Sequence, residues 1–222
     1  MIADLLPAEI AAEEIVGSDP TAALLPEELE LVARAVEKRR LEVTNVRTAA
    51  RRALARIGVP AVPILRGNKG QPLWPAGVVG SMTHTAGYCA AAVADAGKIR
   101  SIGIDAEEHD QLPGGVLDAV SLPAERAMLQ RLGTDLHWDR LLFSAKESVY
   151  KAWFPLTGRW LGFEDAHLTF DPDDGTFSAR ILIDGATTDG PPLTGLTGRY
   201  LVRDGYVLTA ITVPLATSGS PW

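Results

Sequence analysis

Apolar residues recur at helical spacing in two stretches of the first half of the chain. In the first stretch they are Leu29, Val32, Ala33 and Val36. Residues three or four positions apart share one face of a helix, and Pro26, followed by two glutamates, is typical of a first helical turn. A second helix is predicted from Val46 to Ile57, where Gly58 and the nearby Pro60 favour its end.

Short apolar runs bounded by turn residues predict strands in both halves. In the first half these strands are Val78–Met82, Tyr88–Ala94 and Ile99–Asp105, and a Gly- and Pro-rich loop at 67–77 precedes them. The second half opens with a helix at Leu122-Pro123, which is followed by a long helix at Leu141–Trp153. Its strands are His167–Phe170, Ala179–Ile183, Gly198–Val202 and Tyr206–Val213, and Arg203-Asp204-Gly205 joins the last two as a hairpin turn.

The two halves present their elements in the same order. Leu25-Pro26-Glu27-Glu28 is echoed by Leu122-Pro123-Ala124-Glu125, and Gly87-Tyr88 is echoed by Gly205-Tyr206. The echoes predict an α+β fold of two similar α+β halves, 1–105 and 106–222, in a pseudo-twofold arrangement. Chance similarity is the alternative. Residues 1–24 are predicted to form a short helix and a loop, and Ala216–Trp222 is predicted to be loose.

Composition and charge narrow the class of protein. The 222 residues are 46% hydrophobic and 22% charged, as in a folded domain. The net charge of −7 argues against a broad nucleic-acid-binding surface, which is normally basic. No uncharged run approaches the roughly 20 residues that span a bilayer, and the single cysteine, Cys89, favours a reducing compartment. We therefore predict a cytoplasmic protein that binds neither nucleic acid nor membrane.

The first stretch that indicates chemistry is SIGIDAE, residues 101–107. Residues two apart on a strand point to the same face, so Asp105 and Glu107 form a carboxylate pair roughly 6–7 Å apart along the strand. Such a pair suits a hard divalent cation. For an isolated pair, a polar strand end that faces water is the better interpretation.

The second stretch is FSAKESVYKAW, residues 143–153, on the predicted long helix. Glu147 and Lys151 are four positions apart and share one helix face. Taken alone they predict a surface ion pair that contributes about 0.3–0.5 kcal/mol. Together with Asp105 and Glu107, however, Glu147 would complete a three-carboxylate magnesium site. Lys146 and Lys151 would then bracket phosphates that share the metal.

The third stretch is GSMTHT, residues 80–85, which we predict to lie in a loop between two strands. The hydroxyl of Thr83 and the ring of His84 can both hydrogen-bond phosphate oxygens. A single loop histidine is more often merely exposed.

These stretches, in this order and at these separations, resemble the 4′-phosphopantetheinyl transferase superfamily. Its signature is a Ser/Thr-His segment, then Ile-Gly-Ile-Asp-x-Glu, then Phe-Ser-x-Lys-Glu-x-x-x-Lys. The segments KGQPLWP (69–75) and KAWFPLTGRWLGF (151–163) are similar to the branch of enterobactin synthase component D and the actinobacterial transferases for polyketide and nonribosomal-peptide assembly. The resemblance runs from about Lys38 to Val213. One departure is Gln71, where many relatives have lysine, so that Lys69 is expected to supply the charge.

The resemblance implies a fold, a reaction and a set of site residues. Asp105, Glu107 and Glu147 are expected to hold Mg²⁺ against the pyrophosphate of coenzyme A. Glu147 is the candidate base, acting directly or through a water, and Lys151 stabilises the pyrophosphate. The other residues expected to hold coenzyme A are Arg40, Arg47, Lys69, Thr83, His84 and Lys146. Arg40 is the weakest of these, because the run Lys38-Arg39-Arg40 fits a solvated helix face equally well.

The same resemblance implies a macromolecular substrate. The enzyme is expected to transfer phosphopantetheine to a serine of an apo acyl or peptidyl carrier protein, to release adenosine 3′,5′-bisphosphate and to be a monomer. The carrier would belong to a polyketide, nonribosomal-peptide or siderophore synthase. Two other classes remain open from the residues alone: a magnesium-dependent phosphoesterase that uses the same carboxylates on water, and a non-catalytic nucleotide-binding or adaptor protein.

Overall fold

The computed structural model describes residues 1–215, and it is a mixed α+β structure as predicted. Its α-helices are α1 (Glu37–Arg56), α2 (Val116–Val120), α3 (Pro123–Leu132) and α4 (Trp138–Thr157). Its strands are β1 (Ala11–Val16), β2 (Leu65–Arg66), β3 (Pro72–Leu73), β4 (Val78–Thr85), β5 (Tyr88–Asp95), β6 (Ile99–Glu108), β7 (Ala166–Asp171), β8 (Thr176–Ile181), β9 (Gly195–Arg203) and β10 (Tyr206–Pro214). Short 3₁₀ helices cover Ile2–Leu5, Pro26–Val32 and Phe163–Asp165.

The strands form two larger antiparallel sheets and one small hairpin. The first sheet has the order β1-β5-β4, the second has the order β6-β10-β9-β8-β7, and β2 pairs only with β3. Strands β9 and β10 are joined by Asp204 and Gly205, both with positive φ (53° and 80°), as a two-residue type I′ hairpin requires. The predicted hairpin turn is therefore confirmed.

Helix α1 covers the three-stranded sheet through very small side chains. Ala49, Ala50 and Ala53 are fully buried against the apolar face formed in part by Ala91 and Val93 of β5. Alanine loses no side-chain entropy in a helix and allows the helix to approach the sheet closely. This close approach brings the cationic face of α1 toward β4.

Helix α4 lies against the five-stranded sheet, and a glycine sets their separation. A Cβ atom on Gly103 would overlap the carbonyl oxygen of Ser148 and lie 2.8 Å from the backbone nitrogen of Ala152. Only glycine therefore fits at this point of β6 beneath α4. The contact places the end of β6, with Asp105, next to the Glu147 face of the helix.

Strands β4 and β6 join the two sheets without a regular ladder. The hydroxyl of Ser81 accepts a hydrogen bond from the backbone N–H of Ile104 at 3.1 Å, and the hydroxyl of Thr83 accepts one from Ala106 at 3.0 Å. These side chains satisfy backbone donors that a neighbouring strand would otherwise satisfy. They also fix the end of β6 relative to β4.

Each half contains a buried glutamate that ties a Leu-Pro helix start to the long helix of that half. Glu28 caps the 3₁₀ helix Pro26–Val32 and binds Arg51 of α1 at 2.8 Å. Glu125 caps α3 and binds Lys146 of α4 at 2.8 Å. The rings of the echoed Tyr88 and Tyr206 also meet, with their centroids 5.1 Å apart. The pseudo-twofold relation and the half boundaries stay predictions.

The structure differs from the predicted elements at several boundaries. The prediction of a helix and loop for residues 1–24 missed strand β1, and the loop at 67–77 contains β3. Helix α1 begins at Glu37 rather than at Val46, because the polar run before Val46 continues the same helix. Residues Thr83 and His84 lie within β4 rather than in a loop. The predicted loose segment Ala216–Trp222 lies outside the described residues, and no helix within 1–215 is long and apolar enough to cross a membrane.

Candidate active site

A cleft of about 850 Å³ lies between α1, the β2–β3 hairpin, β4, the end of β6 and α4. Seven of the predicted site residues line it: Arg47, Lys69, Thr83, His84, Asp105, Glu147 and Lys151. The volume lies within the usual range of small-ligand sites, about 300–1,000 Å³.

Asp105 and Lys151 form the centre of the cleft. The Lys151 Nζ donates to Asp105 Oδ1 at 2.7 Å and to the carbonyl oxygen of Ile104 at 3.1 Å. The Thr83 hydroxyl also donates to Asp105 Oδ1, at 3.3 Å. The other oxygen, Asp105 Oδ2, is buried and has no hydrogen-bond partner within residues 1–215. Thr83 thus orients Asp105. Its hydroxyl hydrogen is donated to Asp105 and its oxygen accepts from the backbone of Ala106, so the hydroxyl has no hydrogen left to donate to a phosphate.

Glu147 lies half-buried on the cleft face of α4, one helical turn before Lys151. Its carboxylate makes no hydrogen bond or ion pair with any other residue between 1 and 215. Burial and the negative charge of Asp105 raise the pKa of Glu147, and Lys151 opposes this change. An unpaired carboxylate with a raised pKa is well suited to accept a proton.

Glu107 follows Asp105 on β6 and is bound by an arginine that the sequence analysis did not select. Arg140 Nη1 of α4 donates to Glu107 Oε2 at 3.1 Å, and the same guanidinium binds the carbonyl oxygens of Asp110 and Gln111 at 3.0 Å each. Burial and Asp105 raise the pKa of Glu107 to about 7, although Arg140 lowers it. Glu107 therefore has one oxygen bound and one available.

The three carboxylates fit a divalent cation in charge and donor type. No group of three His, Cys, Asp or Glu side chains in the described part of the chain is close enough to form a ready metal cluster. The negative charge of Asp105 nevertheless raises the pKa of both glutamates, and its buried Oδ2 lacks a partner among residues 1–215. A hard cation with oxygen ligands would relieve both unfavourable features, and the side chains must approach one another to bind it.

His84 belongs to a polar network at the α1 side of the cleft. Its Nε2 lies 2.5 Å from Arg39 Nη1, and its Nδ1 lies 3.4 Å from Glu42 Oε2. Burial and the charge of Arg39 lower the pKa of His84. In the neutral ring, Nε2 accepts from Arg39 and Nδ1 donates to Glu42.

Arg47 and the β2–β3 hairpin supply further positive charge. Arg47 is buried, donates from Nε to the carbonyl oxygen of Ile64 at 2.9 Å, and faces the cleft. Lys69 is exposed on the hairpin turn, where its backbone N–H donates to the side chain of Gln71 at 3.0 Å. Gln71, the departure from the family pattern, thus shapes the turn, and Arg66 lies beside it on the cleft wall.

Three predicted ligand residues do not line the cleft: Glu107, which follows Asp105 on β6, and also Lys146 and Arg40. Lys146 is buried and donates to Glu125 and to the carbonyl oxygens of Phe163 and Ala166, so all three of its N–H groups are engaged on the far side of α4. The prediction that it binds coenzyme A is therefore corrected. Arg40 is exposed and does not line the cleft. The alternative interpretation, a solvated helix face, describes Arg40 correctly.

Sequence reasoning missed three arginines, Arg39, Arg66 and Arg140, and helical spacing was the signal that could have found the two on helices. Arg39, Val43 and Arg47 lie four positions apart and all line the cleft, which selects Arg39 rather than its neighbour. Arg140 precedes Glu147 by seven positions, or two helical turns, and so lies on the same face of α4.

Comparison with known proteins places this geometry in a family. A model of the 4′-phosphopantetheinyl transferase N-terminal domain matches residues 27–94, and a model of the 4′-phosphopantetheinyl transferase superfamily matches residues 101–207. The chain is 57% identical to 4′-phosphopantetheinyl transferase PptT of Mycobacterium tuberculosis in an alignment 222 positions long, which covers 96% of this chain and 98% of the relative. It is 52% identical to 4′-phosphopantetheinyl transferase Npt of Nocardia iowensis in an alignment 219 positions long, which covers 95% of this chain and 99% of the relative. Enterobactin synthase component D of Salmonella typhi is 37% identical over 139 residues, which cover 60% of this chain and 55% of the relative.

Proposed function

The chain belongs to the 4′-phosphopantetheinyl transferase superfamily, and we propose that its cleft moves the phosphopantetheine arm of coenzyme A onto a serine of an apo carrier protein. It is a 4′-phosphopantetheinyl transferase, as its near full-length relatives are named. The observation that carries the proposal is the position of Glu147. This unpaired carboxylate lines the same cleft as the Asp105–Lys151 pair and the arginine-rich wall of α1.

The nucleotide end of coenzyme A is assigned to the first half, residues 1–105. Arg39, Arg47 and Lys69 supply the cations and donors that phosphate oxygens require. His84 lines the same wall and holds Arg39 in place through Nε2. The apolar wall formed by Tyr150 and Phe154 on α4 suits the uncharged pantetheine arm. The pyrophosphate then lies between these two regions, beside Lys151 of the second half, residues 106–222.

Asp105, Glu107 and Glu147 are the residues that would hold Mg²⁺. When bound, the cation supplies positive charge that neutralises the pyrophosphate and aligns it for in-line displacement. Arg140 orients Glu107 through Oε2, and Thr83 and Lys151 orient Asp105 through Oδ1, so that one oxygen of each carboxylate is available.

The transfer itself forms one bond and breaks one bond. The serine hydroxyl oxygen of the carrier attacks the phosphorus attached to pantetheine, and the bond from that phosphorus to the bridging oxygen breaks. Adenosine 3′,5′-bisphosphate leaves with the bonding electrons. Glu147 accepts the serine proton, because its carboxylate lines the cleft and pairs with no other residue between 1 and 215. Lys151 stabilises the negative charge that develops on the pyrophosphate oxygens.

The macromolecular partner of the proposed reaction follows from the family to which the chain belongs. An acyl or peptidyl carrier protein or domain of a polyketide, nonribosomal-peptide or siderophore synthase is the acceptor, and the enzyme acts as a cytoplasmic monomer that binds neither nucleic acid nor membrane. Its net charge of −7 means that attraction to an acidic carrier must come from local basic patches.

Intact-mass analysis of the carrier tests the proposal. Purified enzyme, coenzyme A and Mg²⁺ are incubated with an apo carrier protein, and the carrier should gain the mass of one phosphopantetheine. A phosphoesterase would release adenosine 3′,5′-bisphosphate without any carrier, and an adaptor would form no product. Either of these two results would refute the transferase assignment.

A further inference from the structure

Glu28 lies outside the cleft and makes more contacts than a helix cap needs. It is fully buried, and Oε2 caps the 3₁₀ helix by accepting the backbone N–H of Leu25 at 2.9 Å. The carboxylate also accepts Arg51 Nη1 at 2.8 Å, and Oε1 accepts the backbone N–H of Ile64 at 2.8 Å. Capping accounts for the first of these contacts only.

The other contacts lead directly to the cleft. Glu28 Oε1 lies 3.9 Å from Arg47 Nε, and that same Nε donates to the carbonyl oxygen of Ile64 at 2.9 Å. Both side chains therefore bind the backbone of Ile64: Glu28 accepts its N–H, and Arg47 donates to its C=O. Immediately after Ile64 the chain enters β2, whose Arg66 lines the cleft wall.

Charge gives Glu28 a second effect on Arg47. Arg39, Arg51 and Arg66 all repel the guanidinium of Arg47, and Glu28 is the carboxylate that opposes them. Several cations held together without a phosphate ligand move apart unless a negative charge compensates them. Because Glu28 is fully buried, water screens this compensation little.

The second half provides the matched comparison. Glu125 is equally buried, caps α3, binds Lys146 at 2.8 Å and accepts the backbone N–H of Leu168 at 2.7 Å. Its contacts are therefore the same in kind as those of Glu28. None of Glu125, Lys146 and Leu168 lines the cleft.

We infer that Glu28 is a positioning residue for coenzyme A, which holds Arg47 and the start of the β2–β3 hairpin in the arrangement that receives the nucleotide phosphates. The inference rests on the proposed function only in that Arg47 faces the nucleotide end of coenzyme A. Glu125, in contrast, only anchors its helix.

Glu28→Gln and Glu125→Gln test the inference as an isosteric pair. With saturating apo carrier protein, Glu28→Gln should raise the KM for coenzyme A about three- to tenfold with a smaller change in kcat, the scale of coupling between contacting polar residues. The Kd of adenosine 3′,5′-bisphosphate, measured by calorimetry, should rise in parallel. Glu125→Gln should change the KM for coenzyme A and the Kd of adenosine 3′,5′-bisphosphate less than about twofold, even if it lowers the Tm as much as Glu28→Gln does.

A double-mutant cycle with Arg47→Lys shows whether Glu28 acts through Arg47. The effects of Glu28→Gln and Arg47→Lys on the Kd should be less than multiplicative in the double variant. If Glu28→Gln does not fold, Glu28→Asp, which retracts the charge by one methylene, is judged by the same Kd and KM.

Equal effects of the Glu28 and Glu125 variants on the Kd, or multiplicative effects in the cycle, would overturn the inference. Failure of the wild type to modify a carrier would instead refute the proposed function. The Kd measurement distinguishes the two failures, because it requires no transfer.

Discussion

Helices α1 and α4 have the same length, 20 residues, yet they present different chemistry to one cleft. The third residue of each helix is an arginine that binds a carboxylate: Arg39 contacts Glu42, and Arg140 contacts Glu107. Further along, α1 turns the cation of Arg47 to the cleft, whereas α4 turns the carboxylate of Glu147. One helix is thus suited to hold anions and the other to accept a proton.

The scaffolds behind the two helices are much more alike than their cleft faces. Glu28 binds Arg51 and Glu125 binds Lys146, both at 2.8 Å and both with the carboxylate fully buried. Removing one partner of such a pair leaves a buried charge without compensation. The comparison teaches that cations on these two helices have two different roles. Those on the face away from the cleft, Arg51 and Lys146, anchor the helix to a buried glutamate, whereas those on the cleft face, such as Arg47, are available to a ligand.

The chemistry of α4 predicts the largest effect. Glu147→Gln removes the candidate base and keeps the shape of the side chain, so kcat should fall by roughly a hundredfold or more. The KM for coenzyme A should change much less. Steady-state kinetics with an apo carrier protein measure both constants, and Glu164→Gln, at an exposed glutamate outside the cleft, is the control. A variant with nearly full kcat would exclude Glu147 as the base.

Most of the secondary structure could be predicted, because the long helices and the central strands carry dense apolar patterns. Strand β1 could not be, since two adjacent glutamates break its alternation. Glu14 is tolerated there because Tyr88, on the neighbouring strand β5, donates its hydroxyl hydrogen to it at 2.7 Å. That partner is distant in sequence, so local periodicity carries no sign of it.

The candidate site was predictable where its residues belong to a sequence motif. It was not predictable where contacts between distant parts of the chain determine the direction of a side chain. Asp105, Glu147 and Lys151 meet in one cleft, as their spacing and order indicated. Lys146 is next to Glu147, but one step along a helix turns a side chain by about 100°. That step directs Lys146 to Glu125 on α3, and no sequence pattern predicted this ion pair.

The arginine at the start of α4 allows the comparison with α1 to be sharpened. Arg140→Gln should raise the Mg²⁺ concentration for half-maximal activity about tenfold to a hundredfold, the usual result of losing a group that orients a metal ligand. Binding of Mn²⁺ in the presence of coenzyme A, followed by electron paramagnetic resonance, should weaken in parallel. Arg126→Gln, at an arginine that binds Ser121 on the same half, should leave both unchanged. An unaltered metal requirement in Arg140→Gln would contradict the assigned role.

On α1 the expected effect is on binding rather than on turnover. Arg47→Ala should raise the KM for coenzyme A about tenfold, the scale of one lost hydrogen bond to a charged group. If Arg47 contacts the 3′-phosphate, the KM for dephospho-coenzyme A should rise much less. Arg56→Ala is the control on the same helix, because Arg56 is exposed and binds Glu13 away from the cleft. Equal losses with the two donors would refute the 3′-phosphate contact and leave the transferase assignment unaffected.

The smallest effect concerns the stability of the metal-free protein. Burial and Asp105 raise the pKa of Glu107 from 4.5 to about 7. A carboxyl group with a raised folded-state pKa contributes stability that is complete below pH 4.5 and is lost as the pH rises through about 7. Glu107→Gln resembles the protonated form at every pH. In chelator, the variant should therefore match the wild type near pH 4.5 and exceed its free energy of unfolding at pH 8.

One unit of pKa difference corresponds to about 1.4 kcal/mol. Since Glu107 is partly hydrated and keeps its contact with Arg140, we expect the variant to exceed the wild type by about 1–3 kcal/mol at pH 8. Urea unfolding of both proteins at several pH values gives the difference directly and cancels the titration of all other groups. Mg²⁺ with coenzyme A should stabilise the wild type at pH 8 more than Glu107→Gln, because a bound cation compensates the carboxylate charge that the variant lacks. A difference between the two proteins that stays constant from pH 4.5 to pH 8 would show that Glu107 is not held near the charge of Asp105.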